Sequence, residues 1–259
     1  MGKFDGWLIC SDFDGTVYVD REISDENCRA IRYFQEQGGR FTFASGRFIF
    51  MFDEFVDRIR PNAPVAGLNG SIIGDPCGGR LYYSGGVERD PAIKFAFECF
   101  DRYSGVGSLL FYTPEELIKV KRGESVDAAE LAAKLPLLLS KVVLIVTPET
   151  SNDIFADVTE RTAGTYAVSR SWVRGVELNS PNDTKGNAVL RIKEFTGASR
   201  LVCVGDYEND IPMIKVADIG YAVGNAVPPL KAVADRVTVD CRDHALAHII
   251  GELEKELAF

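Results

Sequence analysis

The sequence predicts an α/β protein whose doubly wound parallel sheet is interrupted by an inserted α+β unit. Apolar segments alternate with segments of helical periodicity between residues 7 and 70, and the same alternation returns after residue 185. Between about residues 79 and 179 this alternation is lost, and strands cluster with helices instead. Polar residues directly follow several predicted core strands, where open α/β sheets gather their ligands.

The first part of the core is predicted as strand, helix, strand, helix, strand, which is typical of parallel sheets. Ser24 is a suitable N-cap for the first helix, and Gly38-Gly39 supplies its end. Pro61 ends the second helix. The predicted strands are Trp7–Cys10, Arg40–Ala44 and Val65–Leu68, and the second predicted helix runs from Phe48 to Ile59.

The insert and the second part of the core are predicted in the same way. In the insert we expect strands at 80–84, 108–112, 141–146, 166–169 and 172–178, with helices starting near 91 and over 127–134 and 152–162. The core resumes with helices at 185–195, 210–216 and 243–257, and with strands at 200–204, 219–223 and 236–239. The resulting division is a discontinuous core of 1–79 and 180–259 and an insert of 80–179.

Composition indicates a globular protein that acts away from nucleic acids and membranes. Hydrophobic residues make up 46% of the chain, and the net charge of −9 argues against a nucleic-acid-binding surface. The longest apolar stretch, Leu135–Val146, is too short and too polar to cross a bilayer. No signal-peptide pattern opens the sequence, and the cysteines at 10, 28, 77, 99, 203 and 241 form no CxxC pair. We therefore expect a soluble cytoplasmic protein, with its oligomeric state left open.

The acidic cluster around Asp12 and Asp14 is the first candidate for chemistry. It lies where the first strand ends, and Gly15 lets the backbone turn and a ligand approach. One aspartate there can attack a phosphorus atom, while a second moves the proton of the leaving group. A calcium loop requires glycine at its sixth position, whereas this stretch has glycine at the fourth. An acidic surface turn remains the alternative for the cluster taken by itself.

Other polar groups fall in equivalent places at strand ends or helix starts. They are Ser45 with Gly46, Lys185, and Asp206 with Asp210. Each has an ordinary interpretation, since a serine can cap a helix, a lysine can be solvated and Gly205-Asp206 can form a turn. Their joint occurrence, in this order along one sheet, favours a shared site.

These motifs identify the chain as similar to haloacid dehalogenase-like (HAD) hydrolases, and within them to Cof-type phosphatases with a type-2B cap. The similarity spans nearly the whole chain, and its first and last motifs are the specific ones. It rests on Asp12-Phe13-Asp14-Gly15-Thr16, Phe43-Ala44-Ser45-Gly46-Arg47, Leu68-Asn69-Gly70, Asp183-Thr184-Lys185-Gly186 and Gly205-Asp206-Tyr207-Glu208-Asn209-Asp210. The resemblance implies a Rossmann-like core with an inserted cap domain that closes over the substrate.

The resemblance also implies roles for individual residues. Asp12 would be the nucleophile that forms an aspartyl-phosphate, and Asp14 would protonate the leaving alcohol and then activate water. An acid at position 14 favours phosphoryl chemistry over C–halogen cleavage, since dehalogenases of this superfamily lack it. Lys185 and the Ser45 hydroxyl would hold the phosphate. Residues placed beside the crevice that could contact substrate are Gly46, Arg47, Asn69 and Gly70.

A magnesium ion is expected, because carboxylates crowded around an anionic substrate repel it unless a cation is bound. Its implied ligands are the carboxylates of Asp12 and Asp206 and the backbone carbonyl of Asp14. Asn209 and Asp210 would act through water or as occasional direct ligands. The resulting prediction is a Mg²⁺-dependent phosphatase of small phosphorylated metabolites, with sugar phosphates suggested by the resemblance alone.

Two other functions stay open at this point. A phosphotransferase or phosphomutase would hand the phosphoryl group to a sugar instead of water, and a non-catalytic module would bind a ligand without turnover. Two further patterns are given no function. His244 and His248 are spaced i, i+4 on the terminal helix but lack the glutamate of a zinc motif, so we expect them on a solvated helix face. Gly105-Val106-Gly107 lacks the third glycine of a dinucleotide loop.

Overall fold

The chain forms two compact units in the computed structural model, which describes residues 2–55, 57–76 and 78–257. The first unit comprises the residues up to 82 and those from 185 onward, and the second comprises residues 83–184. Cys77, one of the six cysteines, lies outside the described residues, as does Val56 of the predicted helix 48–59. No helix in the described ranges is long and apolar enough to span a membrane.

The centre of the first unit is a five-stranded, wholly parallel sheet. Its strand Trp7–Ser11, which is paired on both sides, is buried along its whole length, which explains why it is almost continuously apolar in sequence. The predicted α/β class with a parallel sheet is therefore confirmed. In spatial order the strands are Arg236–Val237, Ile219–Ala222, Arg200–Gly205, Trp7–Ser11 and Arg40–Phe43.

Helices and short ribbons complete the first unit. One two-stranded ribbon, Tyr18–Val19 with Glu22–Ile23, lies outside the parallel sheet. A three-stranded sheet also lies outside it, with the strands in the order Val65–Gly67, Ile72–Gly74 and Leu81–Ser84, the last of which continues into the second unit. The α-helices are Asp25–Glu36, Lys185–Thr196, Ile211–Val216, Pro228–Lys231 and Ala245–Leu257. Short 3₁₀ helices are Ile49–Phe55, Leu68–Gly70, Glu208–Asp210 and Cys241–Asp243.

Two local predictions for this unit were wrong. The segment predicted as an α-helix over 48–59 is a 3₁₀ helix at Ile49–Phe55, where Phe52 alone is buried and Phe50 is 53% exposed. Its aromatic residues therefore do not form the continuous apolar stripe that supports an amphipathic α-helix. The third predicted strand is present at Val65–Gly67, and it meets the parallel sheet through one parallel bridge between Ala44 and Ala66. On its other side it pairs antiparallel with Ile72–Gly74.

The second correction concerns the two histidines. His244 precedes the helix Ala245–Leu257 and has a φ of 62°, in the left-handed region, so it does not share a helical face with His248. The predicted helix start at Asp243 was therefore two residues too early.

The second unit has the α+β organisation that its sequence predicts. Five antiparallel strands form one sheet, and an apolar core packs alternate residues of those strands against the helices. In spatial order the strands are Leu117–Lys121, Val106–Tyr112, Lys141–Val146, Gly175–Asn179 and Ala167–Ser169. Beside this sheet lie the helices Arg89–Arg102, Ala128–Lys134 and Ser151–Arg161, the 3₁₀ helix Pro148–Thr150, and the paired strands Val87–Glu88 and Leu138–Leu139.

The two ends of the second unit are joined by a hydrogen bond. The Tyr83 hydroxyl donates to Asp183 Oδ1 at 2.6 Å, although the two residues are 100 positions apart. Gly85 lies against the same pair, because a Cβ at this position would come within 2.5 Å of the Asp183 carboxylate oxygens. A larger residue would therefore disturb the point where the chain enters and leaves this unit.

Candidate active site

Asp12 is positioned by the end of the buried strand Trp7–Ser11. Its backbone N–H donates to the Val204 carbonyl at 2.8 Å, which continues the parallel pairing one residue beyond the strand. The Ser11 hydroxyl donates to the Asp12 carbonyl oxygen at 2.7 Å. Gly15 has a φ of 74°, and a Cβ there would lie 2.5 Å from Asp206 Oδ2. Glycine at position 15 therefore lets the first loop turn and lets Asp206 approach it.

Lys185, the first residue of its helix, connects two of the predicted acidic residues. Its ammonium donates to Asp12 Oδ1 at 2.6 Å and to Asp210 Oδ1 at 2.5 Å. The lysine and Asp210 are fully buried, and Asp12 is nearly so. A buried ammonium is stable only when paired and hydrogen-bonded, and both carboxylates supply that pairing.

Asp210 is held from both sides. Its Oδ2 accepts the backbone N–H groups of Asp206 at 2.9 Å and Tyr207 at 3.1 Å, while its Oδ1 accepts from Lys185. Gly205 makes room for it, since a Cβ there would lie 2.5 Å from Asp210 Oδ2. With both oxygens engaged, Asp210 is better suited to orient the lysine and the loop than to bind a cation directly.

The carboxylates of Asp12, Asp206 and Asp210 form one acidic cluster, in which one oxygen of each lies within 4.8 Å of those of the others. Burial raises the pKa of Asp12 to about 7, with the Lys185 charge opposing this rise and the Asp210 charge adding to it. Burial, and then the charges of Asp12 and Asp210, raise the pKa of Asp206 to about 9. Burial opposes the charged form of Lys185, but the two carboxylates outweigh it, so the pKa of its ammonium lies above the ordinary value. The pKa values of Asp12 and Asp206 stay raised because the single ammonium of Lys185 carries too little positive charge to offset three ionised carboxylates.

This cluster fits a divalent cation. Hard carboxylate oxygens at this separation are the donors that Mg²⁺ prefers. A bound cation would offset the repulsion among the buried carboxylates. Asp12 and Asp206 are the better donors of the three, because neither has both of its oxygens held by the hydrogen bonds that fix Asp210.

Ser45, Asn69 and Asn209 are linked by hydrogen bonds at the edge of the cluster. The Ser45 backbone carbonyl accepts the Asn69 N–H at 2.9 Å, and Asn209 Nδ2 donates to Asn69 Oδ1 at 3.2 Å. Asn69 has a φ of 63°, a conformation that asparagine tolerates better than most residues, and Gly70 follows with a φ of 102°. The turn thus brings three predicted positions together. Gly46 lies between Ser45 and Arg47 and is half-buried.

Arg47 contacts Asp14. Its Nε donates to Asp14 Oδ2 at 2.8 Å and its Nη2 donates to Asp14 Oδ1 at 2.7 Å. The guanidinium also lies over the rings of Phe13, Tyr18 and Phe55, at 4.8, 5.0 and 5.9 Å from their centroids. Arg47 is therefore held by a carboxylate and three aromatic rings at once.

Sequence reasoning missed Tyr18, Phe55 and Asn225 as parts of this region. Asn225 Nδ2 donates to the Gly15 carbonyl at 2.9 Å, and its Oδ1 accepts the Cys241 N–H at 3.0 Å, so it supports the first loop. Its position directly after Gly224, at the end of a strand, was the available signal. The contacts of Tyr18 and Phe55 with Arg47 leave no trace in residue spacing.

A family profile and a curated relative match this chain over most of its length. A profile of haloacid dehalogenase-like hydrolases matches residues 9–250. Phosphatase YwpJ of Bacillus subtilis is 27% identical over 284 residues, an alignment that covers 95% of this chain and 99% of that protein.

Solved structures agree in fold. A haloacid dehalogenase-like hydrolase from B. subtilis matches with a TM-score of 0.80 and 22% identity, over 95% of this chain and 99% of that one. A sugar phosphatase of HAD subclass IIB matches with a TM-score of 0.79 and 20% identity, over 95% and 98% of the two chains.

Proposed function

This chain belongs to the haloacid dehalogenase-like hydrolases, and on that premise we propose that it is a Mg²⁺-dependent phosphatase of small phosphate monoesters. The observation that carries the proposal is the buried contact of Lys185 with Asp12, beside the carboxylates of Asp206 and Asp210. It combines a candidate nucleophile, a cation for the phosphate charge and donors for a metal in one cluster.

In the first step, Asp12 attacks phosphorus and the bond from phosphorus to the leaving oxygen breaks. Lys185 donates to Asp12 Oδ1, which orients the carboxylate so that its second oxygen can act as the nucleophile. Asp14 gives its proton to the leaving oxygen, so that an alcohol departs and an aspartyl-phosphate remains.

In the second step, Asp14 takes a proton from a water molecule, which attacks phosphorus and releases inorganic phosphate from Asp12. The exposed position of the Asp14 side chain, 55% accessible, suits a group that must meet both the alcohol and water. Lys185 and Ser45, with backbone N–H groups around them, would stabilise the phosphate oxygens in both steps.

Magnesium would be held by the carboxylates of Asp12 and Asp206 and the backbone carbonyl of Asp14, with Asn209 and Asp210 acting through water. Bound there, it would neutralise charge between the anionic nucleophile and the anionic phosphate. Asn69 and Gly70 would border the phosphate pocket with Gly46.

Sugar phosphates are the proposed substrate class, and the second unit is proposed to be a type-2B cap domain that selects among them. Support comes from the phosphatase named among the relatives and from the sugar phosphatase among the structural neighbours. A cytoplasmic location is also proposed, because the five cysteines within the described residues are free and buried.

The test is release of inorganic phosphate from a panel of sugar phosphates and aryl phosphates, with EDTA and with added Mg²⁺. We expect EDTA to stop the release of phosphate and added Mg²⁺ to restore it. Asp12→Asn should reduce the release to background while the variant keeps the circular dichroism of wild type. The exposed Asp53 provides a matched control, since Asp53→Asn removes a carboxylate outside the cluster and should keep full activity. Turnover near wild type in folded Asp12→Asn would contradict the nucleophile assignment.

A further inference from the structure

We propose that Arg47 is a positioning residue that orients the Asp14 carboxylate for proton transfer, and that it does not bind the substrate phosphate. This inference rests on the proposed function, because it concerns the acid–base step of that reaction. It also replaces the expectation, drawn from sequence, that Arg47 contacts substrate.

The contact between the two side chains is a two-point fork. Nε and Nη2 of Arg47 lie 2.8 and 2.7 Å from the two oxygens of Asp14. Parallel N–H···O bonds of this kind fix the plane and the direction of a carboxylate, which a single contact from a lysine cannot do. The Asp14 side chain is 55% exposed and would otherwise move among rotamers.

Arg47 itself is held firmly enough to serve as a support. Its side chain is 19% exposed, and its guanidinium lies against Phe13, Tyr18 and Phe55. Its backbone is fixed as well, because its N–H donates to Ser45 Oγ at 3.2 Å and its carbonyl accepts the Leu68 N–H at 2.9 Å. The flexible partner is therefore the acid, and the rigid partner is the arginine.

The same geometry argues against a phosphate-binding role. The edge of the guanidinium that presents Nε and Nη2, which an arginine uses to grip an oxyanion at two points, is directed at Asp14. The charge of the phosphate is met instead by Lys185 in the buried cluster.

Stability does not explain the pair either. Ion pairs with an exposed partner typically contribute less than about 1 kcal/mol to folding. The fork leaves one lone pair on each Asp14 oxygen for the proton, so the carboxyl group can still donate to the leaving oxygen and then accept from water.

The test uses leaving groups that differ in their need for an acid. The constant kcat/KM contains only the steps up to departure of the alcohol, so it isolates the first proton transfer. p-Nitrophenyl phosphate releases a stable anion that needs little protonation, whereas a sugar or alkyl phosphate needs a full proton. We expect Arg47→Gln to lower kcat/KM for the alkyl substrate on the order of 10-fold more than for the aryl substrate.

The ratio of kcat/KM for the alkyl substrate to kcat/KM for the aryl substrate, measured on one preparation, does not depend on what fraction of the variant is folded. Arg47→Lys should give an intermediate ratio, because an ammonium keeps the charge but loses the fork.

Arg58→Gln is the matched control, since Arg58 pairs with Asp25 at 2.8 Å in the same unit with both side chains exposed, and its ratio should equal that of wild type. Asp14→Asn should shift the ratio in the same direction, and adding Arg47→Gln to it should change the ratio little further.

Two outcomes would overturn the inference. Equal losses for both substrates, with weaker inhibition by inorganic phosphate, would show that Arg47 binds the phosphate. An unchanged ratio would show that it does not act through Asp14. If wild type releases phosphate from neither substrate with Mg²⁺ present, the proposed function itself fails, and that result differs from both.

Discussion

Lys185 is the buried cation that pairs with the acidic cluster. Its fully buried ammonium has two carboxylate partners, at 2.6 Å on Asp12 and 2.5 Å on Asp210. Removing one member of a buried charged group leaves the others unpaired in a medium of low polarity, which costs far more than loss of a surface pair.

We expect Lys185→Met to destabilise the protein by about 3–5 kcal/mol in EDTA, because Asp12 and Asp210 then lose their shared cation. Urea unfolding measures this change. The loss should shrink when Mg²⁺ is added, since a cation at the cluster replaces part of the missing charge.

The matched control for this prediction lies on the same helix. Lys193 pairs with Asp218 at 2.8 Å, and the two side chains are 27% and 41% exposed. Lys193→Met should therefore cost less than about 1 kcal/mol. Equal losses for the two lysine variants would contradict the assignment of Lys185 as the centre of a buried charged cluster.

Among the elements, the helix Lys185–Thr196 is tightly packed at its start. It begins with Lys185 and packs closely on the helix Ile211–Val216 through Gly186, where a Cβ would lie 2.6 Å from the Pro212 carbonyl oxygen. The contacting atom belongs to the backbone, so a side chain at position 186 can be accommodated only if a whole helix moves.

Two glycine-to-alanine changes in helices should therefore have opposite effects on unfolding free energy. Gly186→Ala should destabilise by about 1–3 kcal/mol through overpacking. Gly251→Ala, within Ala245–Leu257, meets nothing within 4 Å and should stabilise by about 0.4–1 kcal/mol by restricting the unfolded chain. Thermal unfolding of both variants checks this, and a stable Gly186→Ala would mean that the two helices can separate without cost.

Local sequence patterns correctly predicted the strands and helices that carry the acidic cluster. They failed where side-chain packing determines the type of helix or the contacts of a side chain. Ser24 accepts the Asn27 N–H as a helix N-cap should, and the aspartates follow their buried strands as expected. The α-helix predicted over 48–59 was wrong, because the recurrence of aromatic residues does not determine how many of them are buried. The fork between Arg47 and Asp14 joins residues 33 positions apart, and spacing does not encode the direction of a side chain.

At the scale of the whole molecule, the two units have separate cores. The second unit is a single continuous segment, and its apolar cluster is drawn from residues between Val87 and Leu178. A segment of this length with its own core can in principle fold alone.

We expect residues 83–184, expressed by themselves, to fold and to unfold cooperatively in urea, because their core needs no residue from outside the segment. Leu144→Ala in the same fragment should lower its stability by about 2–5 kcal/mol, since Leu144 is fully buried in that core. If the fragment shows neither a cooperative unfolding transition nor dispersed amide resonances, the second unit depends on the first for its folding.

The hydrogen bond between Tyr83 and Asp183 bears on how such proteins diversify. Since the segment enters and leaves at adjacent points, it can be exchanged for another of different length without rerouting the strands on either side. Genetic recombination at these two points would leave the acidic cluster of Asp12, Asp206 and Asp210 intact while changing everything between them. The same first unit could thus be combined with different inserted segments by replacement of one continuous piece of sequence, rather than by mutations spread along the chain.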